Sequence, residues 1–214
     1  MTSTDQSLVS TETGHASASA PVTAPAAWGN SAPLALAAFA VTTFMLSMIN
    51  ANFVDAGATP VVFGVAFMFG GLTQLIAGII QFRSGNTFTG VLFSTFGAFW
   101  LSLFAIAQFF LKDIPAAQAG HALGLFLYAF GLFTVWIWLA SFRTNVVVVA
   151  ALAFLAITFF VLGAGNYTAT TGLVHLGGYL GLLVAAMAAY LSCAELCEAS
   201  YQRPVLPVWP LARH

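Results

Sequence analysis

The chain has 214 residues, of which 60% are hydrophobic and 5% charged, with a net charge of −1. A soluble domain carries about 25% charged residues, so this composition excludes an ordinary cytosolic enzyme and a disordered chain. The charge balance offers no basic surface for a phosphate backbone, which excludes a nucleic-acid partner. The two cysteines, Cys193 and Cys197, lie in one apolar segment and favour neither a disulfide framework nor a metal site. The composition therefore predicts an integral membrane protein.

Charged residues divide the sequence into long apolar segments. A helix needs about 20 apolar residues to cross roughly 30 Å of hydrocarbon. Each of the first four segments accommodates one such helix, and the last accommodates two, separated by a stretch rich in Gly, Asn and Thr after Leu162. The sequence predicts an all-α membrane protein with transmembrane helices over residues 33–52, 59–82, 87–111, 119–141, 146–163 and 172–195.

Residues near the predicted helix ends agree with this division. Asn30 or Ser31 can cap the first helix, with Pro33 in its first turn, where a missing N–H costs little. Gly85 can end the second helix and Asn86 can cap the third.

The chain divides into three parts. Residues 1–29 are rich in Ser, Thr, Ala and Pro and predict a disordered tail, residues 30–197 form the six-helix membrane domain, and residues 198–214 form a short C-terminal tail. Six crossings place both termini on one side of the membrane. That side collects four arginines against the single Lys112 opposite, which predicts cytoplasmic termini. The arginines are Arg83, Arg143, Arg203 and Arg213.

Polar and small residues recur at helical spacing along four of the predicted helices. Such stripes are either helix-packing seams or the lining of a narrow wet path. The candidates for a lining role include Thr43 and Asn50 in the first helix and Gln74 in the second. No Lys or Arg lies in the middle of a helix, which favours a conduit over a high-affinity receptor for an anion.

Three titratable residues lie in or near the predicted helices. Glu195 can relay protons or can be a solvated acid close to the interface. His121 and His175 can sense pH, can ligate haem as a pair, or can be ordinary interfacial histidines.

The sixth helix also carries small residues at every fourth position. Such a ladder allows close helix packing, either within one protomer or between protomers. Its members are Gly177, Gly181, Ala185 and Ala189.

Several ordered motifs resemble one transporter family. Asn30-Ser31-Ala32-Pro33-Leu34-Ala35-Leu36 is similar to an Asn-Pro-Ala-Pro-Leu-Gly-Leu signature, with Ser31 and Ala35 as departures. Further matching stretches are Gly85-Asn86-Thr87-Phe88, Gly97-Ala98-Phe99-Trp100 and Arg203-Pro204-Val205-Leu206-Pro207. At these spacings the chain resembles the acetate uptake transporter family of bacterial acetate/succinate permeases and their fungal relatives.

The resemblance implies a six-helix protomer that assembles as a homohexamer with a separate pore in each protomer. It implies a hydrophobic constriction at Phe39, Phe96 and Leu155, with Ala188 in the pore lining. Family members often carry Tyr where this chain has Phe96, so a hydroxyl group is absent at that position. The resemblance makes Asn30, Pro33, Leu34, Asn86 and Thr87 the signature residues.

The sequence and the resemblance together predict a plasma-membrane transporter of acetate and other small carboxylates such as succinate. Its expected partners are the carboxylate, protons and membrane lipids. Glu195 and His175 are the candidates for proton coupling, and no cofactor is expected. No nucleophile–base–acid set lies in any predicted helix, so an enzyme is not expected. The alternatives are a haem- or quinone-binding membrane subunit that uses His121 and His175, and a structural membrane protein without transport.

Overall fold

The structure is a computed structural model that describes residues 28–211. The predicted disordered tail covers residues 1–29, of which residues 1–27 lie outside the described part. Within residues 28–211, six helices are long and apolar enough to cross a membrane. They are α1 Ala32–Asn50, α2 Ala56–Arg83, α3 Thr87–Asp113, α4 Ala116–Arg143, α5 Val146–Tyr167 and α6 Thr171–Tyr201. The predicted all-α membrane class is confirmed.

Local hydrogen bonds begin the helices near the predicted residues. The Asn30 Oδ1 atom accepts from the backbone N–H of Ala32 at 3.0 Å, and Pro33 lies in the first turn of α1. Asn86 Oδ1 accepts from the N–H of Thr89 at 3.2 Å and caps α3. Gly85 adopts a φ of 81° between α2 and α3, a conformation that favours glycine.

Helices α2 to α6 are all longer than the sequence predicts. α2 begins at Ala56, where the Asp55 carboxylate accepts from the N–H of Gly57 at 2.7 Å. α5 continues past Gly163 to Tyr167 because that glycine provides a close contact with the ring of Tyr128 rather than a break. α6 continues to Tyr201 instead of ending near residue 195.

The helices form a closed ring. Each helix packs on the next in the chain, and α6 returns to pack extensively on α1. The backbones of α3 and α4 make few contacts, and phenylalanine rings fill the space between them. Phe99 of α3 lies 5.3 Å from the ring of Phe126 and 5.0 Å from that of Phe130 in α4. The ring therefore encloses an aromatic centre.

The outer surface of the ring is apolar. The side chains of Leu125 and Trp136 in α4 are 69% and 67% exposed. Large apolar side chains with this exposure match a hydrocarbon solvent rather than water.

α2 contains a π-helical segment over Ala66–Thr73. Such segments often occur at functional sites because they change the direction of the side chains that follow. Gln74 is the first residue after the π-helical segment of α2.

The chain after α6 returns to the loop between α4 and α5. The hydroxyl group of Tyr190 donates to the carbonyl of Pro207 at 2.7 Å. The N–H of Val146 donates to the carbonyl of Trp209 at 3.1 Å, and the N–H of Leu211 donates to the carbonyl of Thr144 at 2.9 Å. Both described chain ends therefore lie at the same end of the ring, which we call the proximal end; the opposite end is the distal end.

Candidate functional site

The ring encloses a cavity of about 230 Å³ in its distal half, the distal cavity. All six helices contribute to its lining, from Thr43 and Asn50 in α1 to Gly181 in α6. A single water needs roughly 10–15 Å³ of such space, so a small solute fits easily.

A second cavity of about 50 Å³, the proximal cavity, lies toward the end that carries the chain termini. Its lining comes from every helix except α4 and includes Gln74 and Ala188. Apolar side chains such as Leu92, Leu152 and Leu191 form most of its wall.

Phe39 and Leu155 line both cavities and so lie between them. Phe96 lines the proximal cavity, is 2% exposed, and has its ring centre 5.5 Å from that of Phe39. Phe159 stacks on Phe96 from the distal side at 6.2 Å with an interplanar angle of 6°. The three residues that the resemblance selects for a constriction therefore come together at the junction of the two cavities.

The remaining predicted lining residues also border these cavities. Thr43 and Asn50 line the distal cavity, and Gln74 and Ala188 line the proximal one. No charged side chain is among the described residues that line either cavity. The walls can therefore interact with a solute through apolar surface and neutral hydrogen-bonding groups only.

Three buried polar atoms of cavity-lining residues have no hydrogen-bond partner among residues 28–211. They are Thr43 Oγ1, Gln74 Oε1 and Trp100 Nε1. Most buried polar groups in proteins are hydrogen-bonded, so each exception requires an explanation. In the sequence, Trp100 shares a helical stripe with Phe93 and Gly97, which can be either a helix-packing seam or part of the lining.

The proposed proton-coupling residues lie outside both linings. Glu195 is partly buried near the proximal end, where its carboxylate accepts from Asn30 Nδ2 at 3.1 Å. The Asn30 Oδ1 atom lies 2.9 Å from the amide nitrogen of Gln81, and Thr89 Oγ1 lies 2.8 Å from the other end of that amide. Glu195 thus belongs to a hydrogen-bond network that joins α6, α2, α3 and the start of α1.

The two histidines lie in the distal halves of their helices. In α4, His121 Nδ1 lies 3.1 Å from Gln118 Oε1, and the His121 ring centre lies 4.4 Å from that of Tyr167. His175 is partly buried near the start of α6. In the described part of the chain, no group of three or more His, Cys, Asp or Glu residues is arranged to hold a metal ion.

The other signature residues contribute to helix ends and helix packing. The carbonyl of Pro33 accepts from Ser192 Oγ at 2.7 Å, which joins α1 to α6. Leu34 faces outward with 48% of its side chain exposed, and Thr87 is exposed in the first turn of α3.

Known proteins resemble this chain in sequence. It is 38% identical over 190 residues to the ammonia transport outward protein 2 of Saccharomyces cerevisiae, which covers 86% of this chain and 67% of that protein. It is 31% identical over 182 residues to the succinate-acetate/proton symporter SatP of Escherichia coli K12, covering 84% of this chain and 94% of that protein.

A solved structure resembles the chain in fold. The structure of the bacterial acetate channel SatP superposes with a TM-score of 0.79 at 29% sequence identity, covering 85% of this chain and 99% of the other. These relatives are transporters and channels, in agreement with the prediction that the chain is not an enzyme. None of them is named for haem or quinone binding, so the alternative based on His121 and His175 has no support.

The six apolar helices, together with these relatives, indicate that the chain is a multi-pass membrane protein. The sequence pattern of the GPR1/FUN34/yaaH family matches residues 13–213. The chain belongs to the GPR1/FUN34/yaaH family.

Proposed function

We propose that the chain passes acetate and similarly short carboxylates, such as succinate, across the plasma membrane. The observation that carries this proposal is the pair of uncharged cavities that meet at Phe39 and Leu155, with Phe96 beside them. The names of the SatP relatives supply the substrate class, because those proteins are a succinate-acetate/proton symporter and an acetate channel.

The constriction favours small solutes that lose little of the water bound to their charged group when they enter it. An ionised carboxylate pays a large desolvation cost in a dry apolar ring. A carboxyl group with a pKa of about 4.3 is neutral in only about 1 molecule in 500 at pH 7. Passage therefore needs an anion that retains part of its water, or a proton that accompanies it, and both routes favour a short acid.

Uptake of labelled acetate into proteoliposomes, with and without an imposed pH gradient, tests the proposal. Protein-free vesicles measure the passive entry of neutral acetic acid. We expect protein-dependent uptake that excess unlabelled acetate suppresses. Uptake equal to that of protein-free vesicles under both conditions contradicts the proposal.

Ammonium transport is the second candidate function, because the yeast relative is named for outward ammonia transport. Labelled methylammonium, which carries the same charge as ammonium, discriminates between the two in the same vesicles. Protein-dependent movement of methylammonium without movement of acetate favours the second candidate.

We further propose a homohexamer with cytoplasmic termini and proton-coupled transport, with Glu195 and His175 as candidate coupling residues. The resemblance supports the hexamer, and the placement of Arg83 and Arg143 at the proximal end supports the orientation. Membrane lipids then contact the exposed apolar surfaces that other protomers leave free. The mass of the purified assembly by native mass spectrometry tests the hexamer.

A further inference from the structure

We propose that the distal cavity contains a binding site for the ionised carboxylate group, with the indole N–H of Trp100 and the hydroxyl group of Thr43 as its donors. This inference rests on the proposed function and identifies where the transported carboxylate binds.

Both side chains line the distal cavity, and both are almost completely buried, with 2% of Trp100 and 8% of Thr43 exposed. Trp100 Nε1 and Thr43 Oγ1 have no hydrogen-bond partner among the described residues. A buried donor without a partner costs free energy, and an occupant of the cavity that accepts from it recovers that cost.

The Thr43 hydroxyl departs from the behaviour of comparable hydroxyl groups in this chain. A buried threonine in a helix usually donates to the carbonyl four residues earlier. Thr42 donates in this way to Ala38 at 2.8 Å, and Thr158, which lines the same cavity, donates to Phe154 at 2.7 Å. The hydroxyl group of Thr43 makes no such bond and is free to donate to a ligand.

The two donors lie at the same level of the bundle. Thr43 follows Phe39 by four residues in α1, and Trp100 follows Phe96 by four residues in α3. A spacing of four residues places two side chains on the same helix face, about one turn or roughly 6 Å apart along the axis. Each donor therefore lies about one turn to the distal side of its constriction residue.

The chemistry of the donors favours a hydrogen-bond acceptor, such as a carboxylate, over a cation. An indole N–H can only donate, so it binds a carboxylate oxygen and cannot bind the N–H groups of ammonium. Leu46, Leu103 and Leu127 in the same lining provide apolar surface for the alkyl end of the acid. Without a lysine or arginine among the lining residues, the site holds the anion weakly, which suits a conduit that must release its solute.

Two substitutions remove one donor each while keeping most of the side-chain volume. We expect Trp100→Phe and Thr43→Val each to raise the acetate concentration for half-maximal uptake by about 10- to 100-fold, as loss of one hydrogen bond to a charged group does. Thr43→Ser retains a hydroxyl group and is expected to lie much closer to the wild-type value than Thr43→Val does. The effects of the two substitutions should be non-additive in the double variant, because both donors serve one carboxylate.

Two further variants are matched controls. Trp138→Phe removes another buried indole N–H that has no partner among residues 28–211, from a residue that lines neither cavity. Thr42→Val removes a buried hydroxyl from the neighbouring position, which also lies outside both linings. Wild-type half-saturation in these controls, with the expected rise at Trp100 and Thr43, supports the site.

A binding measurement separates this inference from the proposed function. In ¹⁵N-labelled protein, the indole resonance that disappears in Trp100→Phe should move on titration with sodium acetate and not with methylammonium chloride. A stationary resonance, or unchanged half-saturation in correctly folded Thr43→Val and Trp100→Phe, overturns the site even where wild-type uptake is normal. A moving resonance without any wild-type uptake supports the site and contradicts transport. If Trp100→Phe does not fold, the contrast of Thr43→Val with Thr43→Ser decides the question.

Discussion

Asn30 shows how one side chain of the signature joins separate helices. Its Oδ1 atom accepts from the first N–H of α1 and lies beside the amide of Gln81 in α2, while its Nδ2 atom donates to Glu195 in α6. Ser31 adds a bond from its hydroxyl group to the carbonyl of Ala77 at 2.8 Å. The signature therefore stabilises the proximal end of the bundle, and Glu195 is the carboxylate within that network.

At the residue scale, we predict that Glu195→Gln abolishes the response of acetate uptake to a pH gradient while the protein remains folded. The glutamine amide retains an oxygen that accepts from Asn30 Nδ2 but cannot take up a proton. Uptake into proteoliposomes at several imposed gradients provides the measurement. Glu198→Gln, which alters an exposed acid on the same helix, is the control. If uptake by the Glu195→Gln variant follows the gradient as wild type does, the coupling residue lies elsewhere, with His175 the next to test.

At the scale of helices, α6 presents a face of small residues to α1 and α5. A Cβ atom added at Gly177 would meet Leu162 of α5, and one added at Gly181 would meet Ser47 of α1. Ala185 is buried as well, whereas Ala189 is exposed. The first three members of the predicted ladder therefore pack within the protomer, and only Ala189 is left for contact with lipid or another protomer.

At this scale, we predict that Gly178→Ala lowers the free energy of unfolding by about 1–3 kcal/mol, the usual cost of overpacking. An added Cβ atom would meet the backbone of Asn50 and Ala51, which cannot rotate away as a side chain can. Thermal unfolding in detergent measures the effect. Gly172→Ala is the matched control, because nothing lies within 4 Å of a Cβ atom there. Equal melting temperatures for the two variants would contradict close packing of α6 on α1.

At the scale of the whole molecule, the two cavities form a transport path only if a solute can pass the junction between them. Phe39 and Leu155 border both cavities, and Phe96 packs between Phe39 and Phe159. Leu155 is the one aliphatic residue among the three proposed for the constriction, so its truncation changes the aperture without removing an aromatic contact.

We predict that Leu155→Ala raises the flux of longer acids relative to acetate by widening this junction. Uptake of labelled acids of increasing chain length, relative to labelled acetate, measures the selectivity. Leu152→Ala is the control: both leucines belong to α5, with Leu155 6% and Leu152 5% exposed, but Leu152 borders only the proximal cavity. Both truncations cost about 2–5 kcal/mol of stability, so they are matched in that respect. The same selectivity in both variants would indicate that Leu155 is an ordinary core residue.

The sequence by itself determined the membrane class and the six helices. Within a bilayer, the backbone has to be hydrogen-bonded internally, which leaves helices and closed barrels. The apolar segments are continuous and do not alternate as barrel strands do, so they have to be helical. The few charged residues then mark where the helices end, and Gly85 and Asn86 mark one turn correctly because their effects are local. The predicted end of α5 was wrong because Gly163 can either end a helix or serve a close contact, and only the neighbouring Tyr128 decides which.

The tertiary structure alone decided which faces enclose the cavities. In water, an apolar face indicates the core, but lipid and protein interior are both apolar, so the pattern of Phe, Leu and Trp does not distinguish them. Polar side chains are the exception, and Thr43, Asn50 and Gln74 could be selected from the sequence because lipid excludes them. The positions of Phe39, Phe96 and Leu155 at the junction followed from resemblance, not from their chemistry. Trp100 needed the fold, because the absence of a partner for its N–H depends on the helices packed around it.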